Sequence, residues 1–366
     1  MAYVDATLYQ HPMDKQTLSA LKAVPGFSAF MKAVMKVYSE RRVYINITSS
    51  AIELSERQLP EIYDRLPPIC EKLGIAVPHL YLANDRSINA FTSNENDPII
   101  VLHTGLLECC SDEVVSCIIA HECGHIACHH VLYHVIGNMI LNGAINFIPG
   151  IGPLISMGLQ YSFFSWLRAS EYSADRASAV AMGGSRIPVD TMASLAGDYA
   201  SLGLNVDKNV FLEQALLYEQ TINESTTNKI FEIWQYGRSD HPLTAYRALE
   251  VVRWCETPEF QRTQDILSGN IALPATSMMP SSDMMPAAAF APASQGHAGK
   301  RIRDRMRDLD PRRGSSAAAG SFDSSPQSHV SGLGNDSAGN ARFCMNCGRP
   351  IQEGHMFCAN CGSKLS

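Results

Sequence analysis

The stretch that constrains this chain most is Ser111 to His130, SDEVVSCIIAHECGHIACHH, and within it His121-Glu122-Cys123-Gly124-His125. Two histidines four residues apart on a helix project from one face about one turn apart, close enough to hold one metal ion. The glutamate beside the first histidine then lies next to that ion. A zinc hydrolase needs this arrangement: two imidazole ligands and a carboxylate to take the proton of the attacking water. The pattern leaves a third ligand to be found. Ser111 is suited to cap the helix, with Asp112 and Glu113 at its positive end. Val114, Val115, Ile118 and Ile119 supply its buried face, and the helical pattern runs on to about Ile136. His129 and His130 read as supporting or surface histidines.

Downstream, Glu171-Tyr172-Ser173-Ala174-Asp175 opens another helical segment, and its two acids share a face at four-residue spacing. Ala174, Ala177, Ala179, Val180 and Ala181 give them apolar surroundings, which argues against two solvated surface acids. Glu171 is therefore the candidate third ligand. Asp175 is the candidate carboxylate that orients a ligating histidine.

Ahead of this core, residues 1–75 read as three helices that cover it without chemistry of their own. They run from Asp14 to Val24, from Phe27 to Glu40 with Phe30, Met31, Val34 and Val37 on one side, and from a Ser55/Gln58 capping box to Leu73-Gly74. The period then changes. Residues 78–83, 88–92 and 99–103 read as short strands, the middle one ending in the polar turn Ser93-Asn94-Glu95-Asn96. An edge strand there can align an extended peptide by main-chain hydrogen bonds or merely roof the helix. Both readings stand at this point.

Residues 135–167 are the most apolar part of the chain, interrupted by Pro149-Gly150-Ile151-Gly152-Pro153. Neither half reaches the ~20 apolar residues that span a bilayer. His134, Asn138, Asn142 and Asn146 also lay a polar stripe along one face. A buried or membrane-adjacent helical hairpin fits best, so peripheral membrane contact through 135–167 is the expectation. The N-terminus carries no charged-then-apolar signal, which points to the cytoplasm. A net charge of −7 argues against nucleic acid as a partner.

Cys70, Cys109, Cys110, Cys117, Cys123, Cys128 and Cys255 are scattered and read as buried free thiols. The other four form an internal repeat, FCMNCG and FCANCG, which places Cys344, Cys347, Cys358 and Cys361 in a C-x2-C-x10-C-x2-C pattern. Two such turns make a closed tetrahedral zinc cage, a structural zinc ribbon too small to fold without its metal. Residues 265–340, rich in Ala, Pro, Ser, Gly and Met, read as a disordered linker. Within it, Lys300 to Arg313 is a basic run that reads as a solvated short helix.

Asn89-Ala90-Phe91, Thr104-Gly105-Leu106-Leu107, HECGH, Glu171-x-x-Ala174-Asp175 and the segment Ser239 to Arg247 follow one another in an order that resembles the HtpX-type zinc metallopeptidases. These are gluzincins related to the CAAX prenyl endopeptidases, and the resemblance covers roughly residues 60–255. It implies that His121, His125 and Glu171 bind zinc, with Glu122 as general base and Asp175 supporting a ligand. It further implies that His241 stabilises the oxyanion, that Arg247 positions active-site groups, and that 88–92 pairs with a polypeptide substrate. Many membrane members carry spanning helices before the HExxH helix; this chain has none there.

The expected fold is mainly α (α+β): a helical zincin-type domain with a small sheet beside the HExxH helix. The expected organisation is an N-terminal helical segment (1–58), a metallopeptidase domain (59–256), a low-complexity linker (257–340) and a zinc ribbon (341–366). The expected function is a zinc metalloendopeptidase acting on unfolded or damaged proteins, with the ribbon recruiting them. The competing expectation is a zinc-ribbon adaptor or chaperone-like binder with a latent peptidase domain; retention of His121, Glu122, His125 and Glu171 favours the enzyme. Metal analysis of the purified chain should find two zinc ions per chain, one catalytic and one structural, and a single ion would remove one of the two sites.

Overall fold

The computed structural model describes residues 2–141, 154–199, 206–225 and 243–271, with Gly143, Ile145, Gly203 and Asn228 between them. All of these belong to one compact unit, Met1–Met285. The architecture is mainly helical with one small sheet, as expected from the periodicities.

The sheet has the order β1-β2-β4-β3, built from β1 (Ile52–Glu53), β2 (His79–Ala83), β3 (Ala90–Ser93) and β4 (Ile99–His103). Strands β2 and β4 run parallel, whereas β1 and β3 join antiparallel at opposite edges. Leu80, Leu82, Ile100 and Leu102 turn to one face of the sheet, and the alternate residues Tyr81, Ile99 and Val101 turn to the other, where they are buried with Ile47 of the preceding helix. The four on the first face meet Val115, Ile118 and Ile119 of α7 (Asp112–Ala127) in the main core. As expected, the Val114 N–H donates to Ser111 Oγ at the α7 N-terminus.

Behind α7 runs α9 (Met157–Met182), capped by Ser156 and closed by Gly183 at φ 77°. The two helices approach closely at Gly124. A Cβ there would stand 2.6 Å from Ala177 Cβ and 2.9 Å from Ala174 Cα, so a small-residue seam brings the HECGH turn against the turn of Glu171 to Asp175. Gly105, in α6 (Thr104–Cys109), is similarly constrained: a Cβ would collide with the Arg86 carbonyl oxygen at 2.2 Å.

Several expectations need correction. The helix from Phe27 stops at Met35 as α2, leaving Val37 45% exposed while Phe30, Met31 and Val34 are buried. Ser55 and Gln58 form an isolated bridge rather than a capping box, and the helix after them splits into α4 (Pro60–Tyr63) and α5 (Leu66–Leu73). A further helix, α3 (Glu40–Ser50), and the strand β1 went unread. The HExxH helix does not reach Ile136. It ends at Ala127, His129 takes a left-handed φ of 57°, and a new helix α8 (Val131–Leu141) begins after it. The segment at Glu171 is no separate helix either: it continues without a break from the second half of the apolar stretch, inside α9.

The apolar character of 135–167 has a local explanation. Tyr133, Ile136 and Ile140 of α8 and Leu159, Phe163 and Trp166 of α9 are buried against Leu21 of α1 (Pro12–Ala23) and Phe27, Phe30, Met31 and Val34 of α2. Among the described residues, no helix is long and apolar enough to cross a membrane.

Gly124→Ala should force α7 and α9 apart, because the colliding atoms include backbone rather than a flexible side-chain tip. The overpacking is expected to cost about 1–3 kcal/mol, read as a lower denaturant midpoint. An unchanged midpoint would contradict the close approach.

Candidate metal centre

Helix α7 supplies His121, Glu122 and His125; α9 supplies Glu171 and Asp175; Arg247 comes from α12 (Thr244–Cys255). All six are buried. The four-residue spacing works as expected: His121 Nε2 and His125 Nε2 lie 3.2 Å apart. Glu171 Oε1 stands 3.3 Å from His125 Nε2, and Oε2 stands 3.5 Å from His121 Nε2. Two ligands of a tetrahedral zinc ion are separated by about 3.3–3.4 Å when the bonds are ~2.0–2.1 Å. The carboxylate straddles the two imidazoles, one oxygen toward each, and a ligand atom from each of the three residues lies within 4.8 Å of the others, within reach of one ion.

The remaining ring nitrogens show why a cation is required. His121 Nδ1 is 3.0 Å from Asp175 Oδ1, so it carries the proton and donates it to the carboxylate. His125 Nδ1 is 3.1 Å from His130 Nδ1. With protons held at both Nδ1 atoms, two Nε2 lone pairs face one another and a carboxylate inside a buried volume. Their repulsion is relieved by a positive charge at this point, either a metal ion or a second proton on His121. Burial alone opposes a charged His121, yet hydrogen bonds and charge from Asp175 and Glu171 outweigh it and hold the imidazole up to about 10. The donor set, its spacing and its excess of negative charge all fit Zn2+.

Arg247 braces the acids. Its Nε and Nη2 donate to Asp175 at 2.7 and 2.6 Å, and its Nη1 lies 3.0 Å from Glu171 Oε2. Burial opposes ionisation of Asp175, but the adjacent guanidinium keeps its carboxyl below the usual range. Arg176, which could have paired with these acids, instead lies 4.9 Å over the Trp254 ring.

Glu122 is fixed from the sheet side. The Thr92 hydroxyl donates to Glu122 Oε2 at 2.6 Å, which leaves Oε1 to accept a proton. Thr92 is a functional neighbour that motif reading missed, although period-two alternation already placed it on the same face as Ala90. Asn89 and Ala90 line a cleft with His121, Glu122, Met192 and Arg247. Phe91 points the other way, 39% exposed and edge-on to the His103 ring. The strand expected at 88–92 is displaced to Ala90–Ser93 as β3, at a sheet edge beside the cleft, so Asn89 precedes it and Ser93 belongs to the strand rather than the turn.

A second miss lies in the N-terminal helix, read above as a mere cover. Asp14 is buried and reaches His130 Nε2 at 2.9 Å. His130 is itself buried, whereas His129 is turned outward to Glu95. His125, His130 and His134 also lie within metal-binding reach of one another. Their nitrogens are committed elsewhere, however: His130 to His125 and Asp14, and His134 Nε2 to Ser170 Oγ at 2.7 Å. His241, Cys344, Cys347, Cys358, Cys361 and the basic run 300–313 lie outside the described residues. Of the seven scattered cysteines, all are free; Cys70, Cys117, Cys123 and Cys128 are buried, and Cys109, Cys110 and Cys255 are half-buried.

Comparison with known proteins agrees with this geometry. Residues 53–254 match peptidase family M48, and residues 340–365 match a zinc-ribbon domain. The plastoglobule-localized metallopeptidase 48 of Arabidopsis thaliana chloroplasts is 30% identical over 260 residues, 70% of this chain and 75% of that protein. A protease HtpX homolog of Bacteroides fragilis is 29% identical over 128 residues, 34% of this chain and 38% of the homolog. One of Thermodesulfovibrio yellowstonii is 25% identical over 190 residues, 43% and 65% of the respective chains. With the family match spanning more than half of its length, this chain belongs to peptidase family M48, the zinc metallopeptidases its buried His121, His125 and Glu171 resemble in ligand type.

Proposed function

We propose that the chain is a zinc-dependent endopeptidase that hydrolyses peptide bonds of unfolded or damaged proteins. The observation that carries this reading is the buried face of His121 Nε2, His125 Nε2 and Glu171, spaced at 3.2–3.5 Å, with the Glu122 carboxylate beside it. His121, His125 and Glu171 would hold the ion, which when bound supplies Lewis-acid polarisation of water and of the scissile carbonyl.

The protein groups do the rest. Glu122 accepts the proton of the attacking water on Oε1 and passes it to the leaving amine, while Thr92 holds the other oxygen and fixes the carboxylate plane. Asp175 and Arg247 keep His121 and Glu171 in register, so no reorganisation is needed as charge develops. The free edge of β3 takes an extended segment as one more antiparallel strand, pairing at Asn89, Ala90 and Phe91. Only a chain that can be drawn out straight fits such an edge, which is the reason for assigning unfolded protein as substrate. By resemblance, His241 is assigned the oxyanion donor.

The domain assignment follows the same reading: a peptidase unit at 59–256, preceded by helical support and joined through a linker to a ribbon at 341–366 whose four cysteines hold a structural zinc. The ribbon recruits substrate and takes no part in hydrolysis. The protein works in the cytoplasm, and contact with a lipid surface falls on Met157 and Tyr161 at the exposed start of α9.

Glu122→Gln should keep both zinc ions and lose about 10²–10⁴-fold of the rate of casein cleavage; full activity in that variant would sink the assignment. Glu171→Ala should lose the catalytic zinc and retain the ribbon zinc, as read by metal analysis. Removal of residues 257–366 should change substrate choice more than turnover of a short peptide, and an unchanged substrate range would count against recruitment by the ribbon.

A further inference from the structure

The two histidines of the metal centre are supported differently. His121 donates directly to a carboxylate, Asp175. Among the described residues, His125 Nδ1 meets no carboxylate but another imidazole, His130, at 3.1 Å. The far nitrogen of His130 is 2.9 Å from Asp14 Oδ2. Asp14 is in turn tied down by donors only: the Trp166 indole N–H to Oδ1 at 2.9 Å, and the Ser173 hydroxyl and the Gln10 amide to Oδ2 at 2.7 and 2.9 Å.

We infer that Asp14 and His130 are positioning residues for the metal centre, a relay that sets the tautomer of His125 from the N-terminal helix. This rests on the reading of His125 as a metal ligand and deepens it. With His125 neutral and its Nε2 bare toward the metal, one arrangement makes every contact a hydrogen bond. Asp14 accepts from His130 Nε2–H, so His130 Nδ1 carries a lone pair. That lone pair accepts from His125 Nδ1–H, and His125 Nε2 is then left free of a proton to face the metal. The carboxylate thus does for His125, through an interposed ring, what Asp175 does for His121 in one step. Carboxylates behind ligating imidazoles fix their orientation and raise their basicity.

The local fold is built around this contact. The main chain breaks out of the helix after Ala127, and His129 adopts the left-handed φ of 57°. The His130 N–H then returns to the His125 carbonyl at 3.0 Å, which turns the His130 ring back onto His125. Had the helix continued, His130 would lie five residues on and well around the cylinder from His125. Asp14 lies outside the matched region 53–254, so the relay places the N-terminal helix within the support of the metal centre.

The test is a chelator competition on the full-length chain, following the zinc equivalent that His125→Ala lacks. Asp14→Leu roughly keeps the side-chain volume and removes the oxygens that accept from His130 Nε2–H, Ser173, Gln10 and Trp166. It should release that zinc about 10–100-fold more readily, and His130→Leu should do the same. His130→Asn sets its Oδ1 where the ring Nδ1 stood and still accepts from His125, so it should bind within about threefold of the parent, since one neutral acceptor replaces another. Parent-like affinity in both Asp14→Leu and His130→Leu, or equal losses in His130→Leu and His130→Asn, would overturn the relay while leaving the metal assignment intact. Retention of both zinc ions in His125→Ala would overturn the metal assignment itself.

Discussion

The close approach of α7 and α9 over Gly124 is the constraint from which the site follows. Ala174 and Ala177 leave no room for a side chain there, so the two backbones meet, and residues one turn away on either helix are forced into register. That register places Glu171 opposite the pair of imidazoles from α7 and puts Asp175 behind one of them. A wider helix pair would separate the carboxylate from the histidines by more than a metal ion can bridge. The small residues of this seam, which carry no chemistry, are thus what makes the chemistry of their neighbours available.

Bringing these groups together inside the protein is costly, and the structure offsets the cost with fixed partners. Three acids, Glu122, Glu171 and Asp175, are buried around one guanidinium. Arg247 spends all three of its nitrogens on two of those acids, and its own burial is overcome by their charge, which raises its pKa further. Removing one member of such a network leaves an uncompensated buried charge, worth roughly 3–5 kcal/mol. The remaining negative charge suits a divalent cation.

In the apolar stretch 135–167, composition alone does not tell which side chains meet the protein and which meet its surroundings. Ile136, Ile140, Phe163 and Trp166 are buried against α1 and α2, while Met157 and Tyr161 are exposed. The same N-terminal helices that cover it also bring in Asp14, which accepts from the Trp166 indole at the base of that cluster. Cover and polar support therefore come from one element.

Local sequence determined what depends on short-range periodicity. The helical pairing of His121 with His125 and the shared face of Glu171 and Asp175 follow from a repeat of 3.6 residues, and the Ser111 cap and the short apolar strands follow from local residue chemistry. Breaks and distant partners were decided by the tertiary structure. The left-handed His129 belongs to a residue with no intrinsic need for that conformation, and it is accepted because it returns His130 to His125. Thr92 meets Glu122 across 30 residues, Arg247 meets Asp175 across 72, and Asp14 meets His130 across 116. Resemblance to a family had pointed to Arg247, but nothing in the neighbourhood of Asp14 distinguishes it from a solvated helix acid. Its partners exist only once the chain has closed, because a hydrogen bond depends on where two groups stand in space, and periodicity specifies only one of them.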